Sequence, residues 1–289
     1  MAFPTISAQQ ELQTKKILED LQLKKKLLLS NNSNNSMPQY NPQVAGTGNQ
    51  VQEVVNNSSP ARTALQQAQA VSFELRMARL KLRKLEEYLQ GLDDFETPKI
   101  QLEQYATPAH IASHMLYTIE ANYQDIEGKL VADLGSGCGM LSVGAFLLGA
   151  GHVMGFEIDG DAIEIFKTNV DEMEIENIDV VQCDVVNQLE TVYSDLKFDT
   201  VILNPPFGTK NNAGMDMKFL QSAISLTNGT IYSLHKTSTR EYIKKRAQDW
   251  NLKSNVIAEL KYDLPSSYKF HKKQSVDIEV DFWRFEVAK

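Results

Sequence analysis

Repeated alternation of apolar strand-like runs with amphipathic helical stretches is the feature that most constrains this fold. Seven such runs occur in the chain, at 129–137, 152–159, 178–184, 198–206, 229–235, 255–264 and 276–285. Most are separated by segments of helical periodicity, such as "DAIEIFKTNVDEMEI". This alternation predicts an α/β fold in which helices cover both faces of a mostly parallel sheet. The last two runs leave no room for a helix between them, so we expect an antiparallel pair at the sheet edge.

The composition changes near Met77, which divides the chain into two predicted regions. Upstream, "SNNSNNSMPQYNPQVAGTGNQVQEVVNNSSPA" is rich in Asn, Gln, Ser, Gly and Pro and poor in the apolar residues that a core needs. We therefore predict that residues 1–76 form a largely disordered extension, with a short amphipathic helix in "ELQTKKILEDLQLKKKLLLS". Residues 77–289 are predicted to form one domain, and a second helical pattern, which begins at Arg62, continues into it and stops near Gly91.

The bulk properties of the chain exclude several classes of protein. With 289 residues and 42% hydrophobic content, it can bury a full core. Neither a membrane span nor a signal peptide is expected, because the apolar runs are interrupted and the start lacks a basic region before an apolar one. The two cysteines, Cys138 and Cys183, are far apart, so we expect a reduced intracellular compartment and no metal site.

Glycines and carboxylates occupy the predicted strand ends. Gly135 and Gly137 lie in a glycine-rich turn directly after the first strand, where they would let the backbone approach a ligand. Asp133, Glu157 and Asp184 end three successive strands, so the sequence predicts that they converge at the carboxyl edge of the sheet, where open α/β sheets bind ligands. A dinucleotide ligand is compatible with these glycines and carboxylates. However, the sequence lacks the third glycine of the usual dinucleotide-binding motif and a basic residue to hold the pyrophosphate.

The sequence Asn204-Pro205-Pro206-Phe207 follows the fourth predicted strand and favours one chemistry. Asn204 supplies a side-chain carbonyl and Pro205 a rigidly aimed backbone carbonyl, while Phe207 offers a ring for stacking. Two acceptors beside a ring suit a planar amine, whose nitrogen becomes a better nucleophile when both of its hydrogens are bound. We therefore predict methyl transfer from a sulfonium donor to such an amine. The alternative is that the motif merely ends the strand and begins a turn, with no catalytic role.

A late basic segment is the candidate contact for nucleic acid. Net charge is −8, but Lys and Arg outnumber Asp and Glu from 236 to 289, whereas acidic residues dominate from 77 to 235. Within "SYKFHKK", basic and aromatic residues alternate in a manner that suits phosphates and unstacked bases. The residues predicted to bind RNA are Tyr268, Lys269, Phe270, Lys272 and Lys273. The alternative is a solvated loop between two strands.

From Met77 onward the chain resembles the methyltransferase-like 5 family. The resemblance is carried by "QLEQYATPAHIASHML", "VADLGSGCGMLS", "GFEID", "VQCDV", "NPPFGTKN", "YSLHK" and "YDLPSSYKFHKKQSVDIEVDFWRF". It implies a class I, S-adenosylmethionine-dependent methyltransferase with a Rossmann-like, seven-stranded, mostly parallel sheet that has one antiparallel edge strand. It further implies formation of N6-methyladenine in 18S ribosomal RNA and a location in the nucleus and cytoplasm.

The resemblance also implies a set of site residues and a protein partner. The positions that match donor contacts of the family are Gln104, Thr107, Gly135, Cys138, Glu157, Asp184 and Val185. The positions that match its catalytic motif are Asn204, Pro205, Pro206 and Phe207. Members of the family work as heterodimers with a small zinc-binding activator subunit that several methyltransferases share.

Two other classes of function remain open from the sequence. A protein-glutamine methyltransferase is possible because the Asn204 motif also suits a side-chain amide. A scaffold function is possible because about the first 70 residues resemble a small component of the SOSS complex, which binds single-stranded DNA during repair. This second resemblance is carried by "MAFPTISAQQ", "TKKILEDLQLKKKLLL" and "ARTALQQAQA".

Three residues near the motifs also have structural interpretations. We expect a structural hydrogen bond for His235 and a packing role, rather than a nucleophilic one, for Cys138. Thr107, beside Tyr105, is explained as a helix N-cap if it does not contact the donor.

Overall fold

One sheet organises the part of the chain that the computed structural model describes, which is residues 80–193, 195–208, 212–265 and 275–287. The strands within those ranges are β1 (Leu130–Leu134), β2 (His152–Glu157), β3 (Ile178–Gln182), β4 (Phe198–Leu203), β5 (Thr227–Lys236), β6 (Leu252–Pro265) and β7 (Ser275–Val287). The predictions for the N-terminal extension and for the RNA-binding segment fall outside the described residues.

The order of the strands is β3-β2-β1-β4-β5-β7-β6. β1 to β5 pair in parallel, whereas β7 is antiparallel to both β5 and β6. This confirms the predicted mostly parallel sheet and the antiparallel pairing of the last two strands. The single antiparallel strand lies one position in from the edge, and β6 is the outermost strand on that side.

Helices cover the sheet as the alternating pattern predicts. Their bounds are α1 (Leu82–Leu89), α2 (Ala109–Tyr123), α3 (Met140–Leu147), α4 (Gly160–Glu172), α5 (Leu189–Val192), α6 (Met215–Leu226) and α7 (Arg240–Asp249). Short 3₁₀ turns occur at Ile100–Leu102 and Thr237–Thr239. α1 ends at Leu89, two residues before the predicted glycine stop at Gly91. Of the helices described, none is both long and apolar enough to span a membrane.

The central strands are covered on both sides, which explains their almost continuous apolar sequences. Every residue of β1 and β2 is buried, including the polar Asp133, His152 and Glu157. Strands of alternating polarity would expose one face, so "LVADL" is a sequence suited to the middle of a parallel sheet. The carboxyl ends of β1 to β5 meet at one edge, and the segments that carry Gly135, Glu157, Asp184 and Asn204 leave the sheet there.

Candidate active site

The turn after β1 is held by its glycines and by Glu157. Gly135 and Gly137 have φ values of +72° and +54°, a region that favours glycine. A side chain at Gly137 would place its Cβ 3.0 Å from the Phe95 ring. The N–H of Gly137 donates to Glu157 Oε2 at 2.8 Å, and the N–H of Gly135 donates to the Phe156 carbonyl at 2.8 Å. The turn therefore presents bare backbone beside a carboxylate at the carboxyl edge of the sheet.

Glu157 is fixed at the end of β2 by backbone donors. Its Oε1 accepts from the N–H groups of Ile158 and Asp159, both at 2.9 Å. Burial raises the pKa of this carboxyl, although the three backbone hydrogen bonds oppose the shift. A carboxylate with its orientation set in this way suits the two hydroxyls of a ribose, as predicted for a ligand with a nucleoside part.

Asp159, two residues after Glu157, connects the carboxyl edge of the sheet to the loop that contains Lys99 and Gln104. It was not singled out from the sequence. Its carboxylate accepts hydrogen bonds from Lys99 Nζ and, at 2.6 Å, from Gln104 Nε2. It also caps the N-terminus of α4 by accepting from the Asp161 N–H. Burial opposes ionisation, but the bonds from Lys99 and Gln104 hold the pKa of Asp159 below its usual value. Gln104 is thereby anchored beside the ligand crevice, and its contact with the donor stays a prediction.

Asp133 contacts the interior of the protein. Its side chain is only 2% exposed, and its Oδ2 accepts from the Ser142 hydroxyl in α3 at 2.7 Å. Burial raises the pKa of Asp133 to about 7. This geometry supports the glycine turn by linking β1 to the helix that follows it.

The other predicted donor contacts lie at the ends of β1 and β3. The Asp184 carboxylate accepts from the N–H groups of Val186 and Asn187 and from the Asn187 side chain, so it stabilises its own turn. Val185 is buried beside it. Cys138 is also buried, and burial raises the pKa of its thiol to about 12, which favours the packing role over that of a nucleophile.

Asn204, directly after β4, has a side-chain oxygen that accepts no hydrogen bond from the described residues. Its Nδ2 donates to Thr107 Oγ1 at 2.9 Å and to Tyr262 Oη at 3.1 Å. Its Oδ1 is buried and has no hydrogen-bond partner among the residues that the structure describes. The N-cap of α2 is Pro108, so the N-cap interpretation of Thr107 was wrong; its hydroxyl orients Asn204 instead.

Three aromatic rings enclose the motif. The Tyr105 and Phe207 rings are stacked with centroids 5.6 Å apart and planes at 28°. Tyr262 meets each of them edge-on at 5.9 Å. The Tyr105 hydroxyl donates to the Pro205 carbonyl at 3.3 Å. Pro206 completes the turn between Pro205 and Phe207.

Tyr262 is a site residue that sequence reasoning missed. It lies within β6, far along the chain from Asn204, and although it opens the stretch "YDLPSSYKF" that carries the family resemblance, it was assigned no role. Burial raises the pKa of its hydroxyl, which therefore stays protonated and donates to the Ala106 carbonyl at 3.4 Å. The available signals were its place at the start of that stretch and an aromatic side chain near the end of a predicted strand.

His235, by contrast, is structural, as expected. It is fully buried, with one ring nitrogen 2.8 Å from the Ser233 hydroxyl and the other 3.1 Å from the Asp216 carboxylate.

The residues present fit a nucleoside sulfonium donor next to an amine acceptor. Bare backbone at Gly135 and Gly137 and the fixed Glu157 carboxylate suit the nucleoside part, while the free Asn204 Oδ1 suits an acceptor N–H. The sheet order, the glycine turn and the Asn204 motif together define a class I methyltransferase that uses S-adenosylmethionine. The family profile described as "Methyltransferase domain" matches residues 126–277.

Comparison with known proteins refines this class. The chain is 60% identical over 212 residues to the rRNA N(6)-adenosine-methyltransferase Mettl5 of Drosophila melanogaster, a match that covers 73% of this chain and 99% of that protein. It is 63% identical over 206 residues to the METTL5 protein of the same description from Danio rerio, with 71% and 99% covered. The chain belongs to the methyltransferase-like 5 family.

A solved structure has a similar fold. The crystal structure of a candidate RNA methyltransferase from Pyrococcus horikoshii is similar, with a TM-score of 0.64 and 34% sequence identity. The similarity covers 72% of this chain and 98% of that one.

Proposed function

We propose that this chain transfers the methyl group of S-adenosylmethionine to N6 of an adenosine in ribosomal RNA, with 18S ribosomal RNA as the molecule. The relatives that share nearly the whole described domain are named for this reaction on rRNA. The observation that carries the proposal is the buried, unpartnered Oδ1 of Asn204. An acceptor kept dry and unpaired costs the folded protein about 1–3 kcal/mol, which a substrate N–H recovers.

The residues around Asn204 bind and orient the amine. Thr107 and Tyr262 hold the amide nitrogen, so Oδ1 is directed away from them and towards the substrate. Asn204 Oδ1 and the Pro205 carbonyl would accept the two N6 hydrogens, which concentrates electron density on the nitrogen. Phe207 would stack on the purine. When bound, S-adenosylmethionine supplies a methyl group that is activated by its positive sulfur.

The donor would bind on the side of the crevice that is formed by the ends of β1 and β2. Glu157 would accept from the ribose hydroxyls, and the Gly135–Gly137 backbone would approach the rest of the molecule. The N6 nitrogen releases one proton as it becomes methylated. Neither an amide oxygen nor a peptide carbonyl is basic enough to retain this proton at neutral pH, so we expect it to pass to solvent.

A protein-glutamine substrate is the alternative that the motif alone left open. A glutamine amide presents the same NH₂ group, but it offers no planar ring for the stacked aromatic side chains at Tyr105 and Phe207. The whole-domain relatives are also named for RNA. Both points favour adenosine.

The deciding experiment compares tritiated methyl transfer from S-adenosylmethionine to purified ribosomal RNA and to total protein. We expect label in the small-subunit RNA, recovered as N6-methyladenosine after digestion. Label confined to protein would refute the proposal.

Changing Lys269, Lys272 and Lys273 to Ala should weaken RNA binding and flatten its salt dependence while sparing donor binding, because those lysines are proposed to neutralise phosphates.

We also propose that a small zinc-binding activator subunit forms a one-to-one complex with this chain. One support is the family resemblance. Another is that β3, at one edge of the sheet, pairs with β2 on one side and with no strand of the described residues on the other. An unpaired edge is a ready template for a partner strand. Co-expression should give a soluble heterodimer, whereas a stable and fully active monomer would contradict this part.

For the remaining features we keep the sequence-based proposals. The methyltransferase domain is proposed to begin at Met77, and the extension at 1–76 to contribute nothing to catalysis. Nucleus and cytoplasm are the proposed locations, which imaging of the tagged full-length chain would test.

A further inference from the structure

One short loop contacts both halves of the active site. Within four residues of chain, Gln104 bonds to Asp159 on the rim of the donor crevice, and Thr107 bonds to Asn204. Between them, Tyr105 bonds to the Pro205 carbonyl. The loop is fixed again by the Lys99 N–H, which donates to Gln104 Oε1 at 2.7 Å.

The Tyr105 ring occupies the space that a stacked base requires. A planar base between two rings needs about 7 Å between their centroids, because each stacked contact takes roughly 3.5 Å. The Tyr105 and Phe207 centroids are 5.6 Å apart, so no base fits between them in this arrangement. Phe207 is buried, whereas Tyr105 is only partly buried, so an entering base would displace the Tyr105 ring rather than that of Phe207.

The Tyr105 hydroxyl also occupies one of the two acceptors of the motif. It donates to the Pro205 carbonyl, whereas Asn204 Oδ1 receives no hydrogen bond from the described part of the chain. Its contacts therefore imitate half of a bound adenine, namely one hydrogen-bond donor and one aromatic plane against Phe207. An entering base must replace this hydrogen bond and separate the two rings.

We infer that Tyr105 closes the acceptor-base slot when RNA is absent and stacks on the adenine once the base has entered. This inference rests on the proposed RNA methylation and adds a residue that determines how the base is held. Before entry the ring keeps the slot dry and the Pro205 carbonyl satisfied. After entry, Tyr105 and Phe207 lie on opposite faces of the base and hold N6 against Asn204.

The two parts of the side chain have separable roles. The ring provides stacking in the bound state, so its removal weakens base binding. The hydroxyl competes with the substrate for Pro205, so its removal leaves stacking intact and removes a bond that entry must break. Tyr105→Ala and Tyr105→Phe therefore have different expected effects.

The test is steady-state methylation of ribosomal RNA by the full chain and these two variants, with donor affinity measured separately by calorimetry with S-adenosylhomocysteine. We expect Tyr105→Ala to raise KM for RNA by about ten-fold or more, which corresponds to the loss of one base-aromatic stack. Tyr105→Phe should restore KM to the wild-type value or below. Donor affinity should stay within about two-fold for both variants, since Gln104 and Asp159 are untouched.

Tyr242→Ala is the matched control, because this tyrosine lies on α7 and is 54% exposed. It should leave both constants unchanged. The inference is overturned if Tyr105→Ala keeps the wild-type KM for RNA, if its defect is matched by lost donor affinity, or if Tyr105→Phe is as defective as Tyr105→Ala. Absence of RNA methylation by the unmodified chain would instead refute the proposed function, so the two failures are distinguishable.

Discussion

Replacing Asn204 with alanine tests whether this residue was placed for chemistry or for folding. The change removes the Oδ1 atom, which is buried and unpartnered, together with a nitrogen that donates to Thr107 and Tyr262. Loss of one preorganised polar group that contacts the reacting atoms should lower kcat by about 10²- to 10³-fold. The kcat of each variant is measured from tritiated methyl transfer to ribosomal RNA at saturating donor.

Stability should respond differently from activity. The folded protein carries the cost of an unsatisfied acceptor, about 1–3 kcal/mol, and the alanine variant does not. The hydroxyls of Thr107 and Tyr262 lose one donor but can rotate towards other partners. We therefore expect the free energy of unfolding, measured in urea, to stay within about 1 kcal/mol of the original value or to rise.

Two further variants sharpen this test. Asn204→Asp keeps one acceptor oxygen but turns a second acceptor towards Thr107 and Tyr262, so its activity should lie between those of alanine and asparagine. Asn228→Ala, an exposed change at the start of β5, should be silent. The reasoning is refuted if Asn204→Ala retains more than about a tenth of the original kcat, or if it loses activity only in proportion to lost folded protein.

Four other predictions follow from the same geometry. Tyr262→Phe should lower kcat by about ten-fold with donor affinity unchanged in calorimetry, because one of the two groups that orient Asn204 is lost; equal kcat would contradict this. Glu157→Ala should weaken S-adenosylhomocysteine binding by at least about ten-fold, because it removes a carboxylate that also fixes the glycine turn; unchanged affinity would exclude the proposed contact. Because burial raises the pKa of Asp133 to about 7, the folded state holds a proton that the unfolded state releases at lower pH, so stability falls as pH rises from about 4 to about 7. Asp133→Asn should flatten this fall in urea unfolding, and an equally steep fall would count against the shift. Truncation to residues 77–289 should leave donor affinity and kcat within about two-fold, since the assigned residues begin at Gln104; a larger loss in either measurement would give the extension a role in catalysis.

The fold was predictable because its main signal is periodicity. Runs such as "KLVADLGSG" and the helical segments between them define parallel strands with crossover helices. The missing helix between the last two runs also indicated their antiparallel pairing. The position of β7 between β5 and β6 was not predictable in the same way, because strand order in a sheet depends on which edge offers the better packing surface rather than on local sequence.

The site was predictable only where its residues are neighbours in sequence. The Asn204 motif is recognisable because four adjacent residues provide two acceptors and a ring. Tyr262 and Asp159 were missed because their role arises from contacts between distant segments. The three strand-end carboxylates looked equivalent in sequence, yet Asp133 bonds to a helix, Glu157 to the glycine turn and Asp184 to its own loop. Side-chain direction and local donors, which composition does not encode, separate the three.

The pairing of β6 with β7 has a consequence for how substrate range can diverge. β6 and β7 are long strands of 14 and 13 residues, paired from Leu252↔Val287 to Pro265↔Ser275 with one shift of register between Val256 and Ala258. β6 ends and β7 begins at the edge of the sheet that holds the Asn204 motif. The connection between them can therefore be lengthened, shortened or replaced without shifting the paired strands or Tyr262. Under the proposal that this connection contacts RNA, selection on it would change which RNA is bound while the groups proposed for methyl transfer are inherited unaltered.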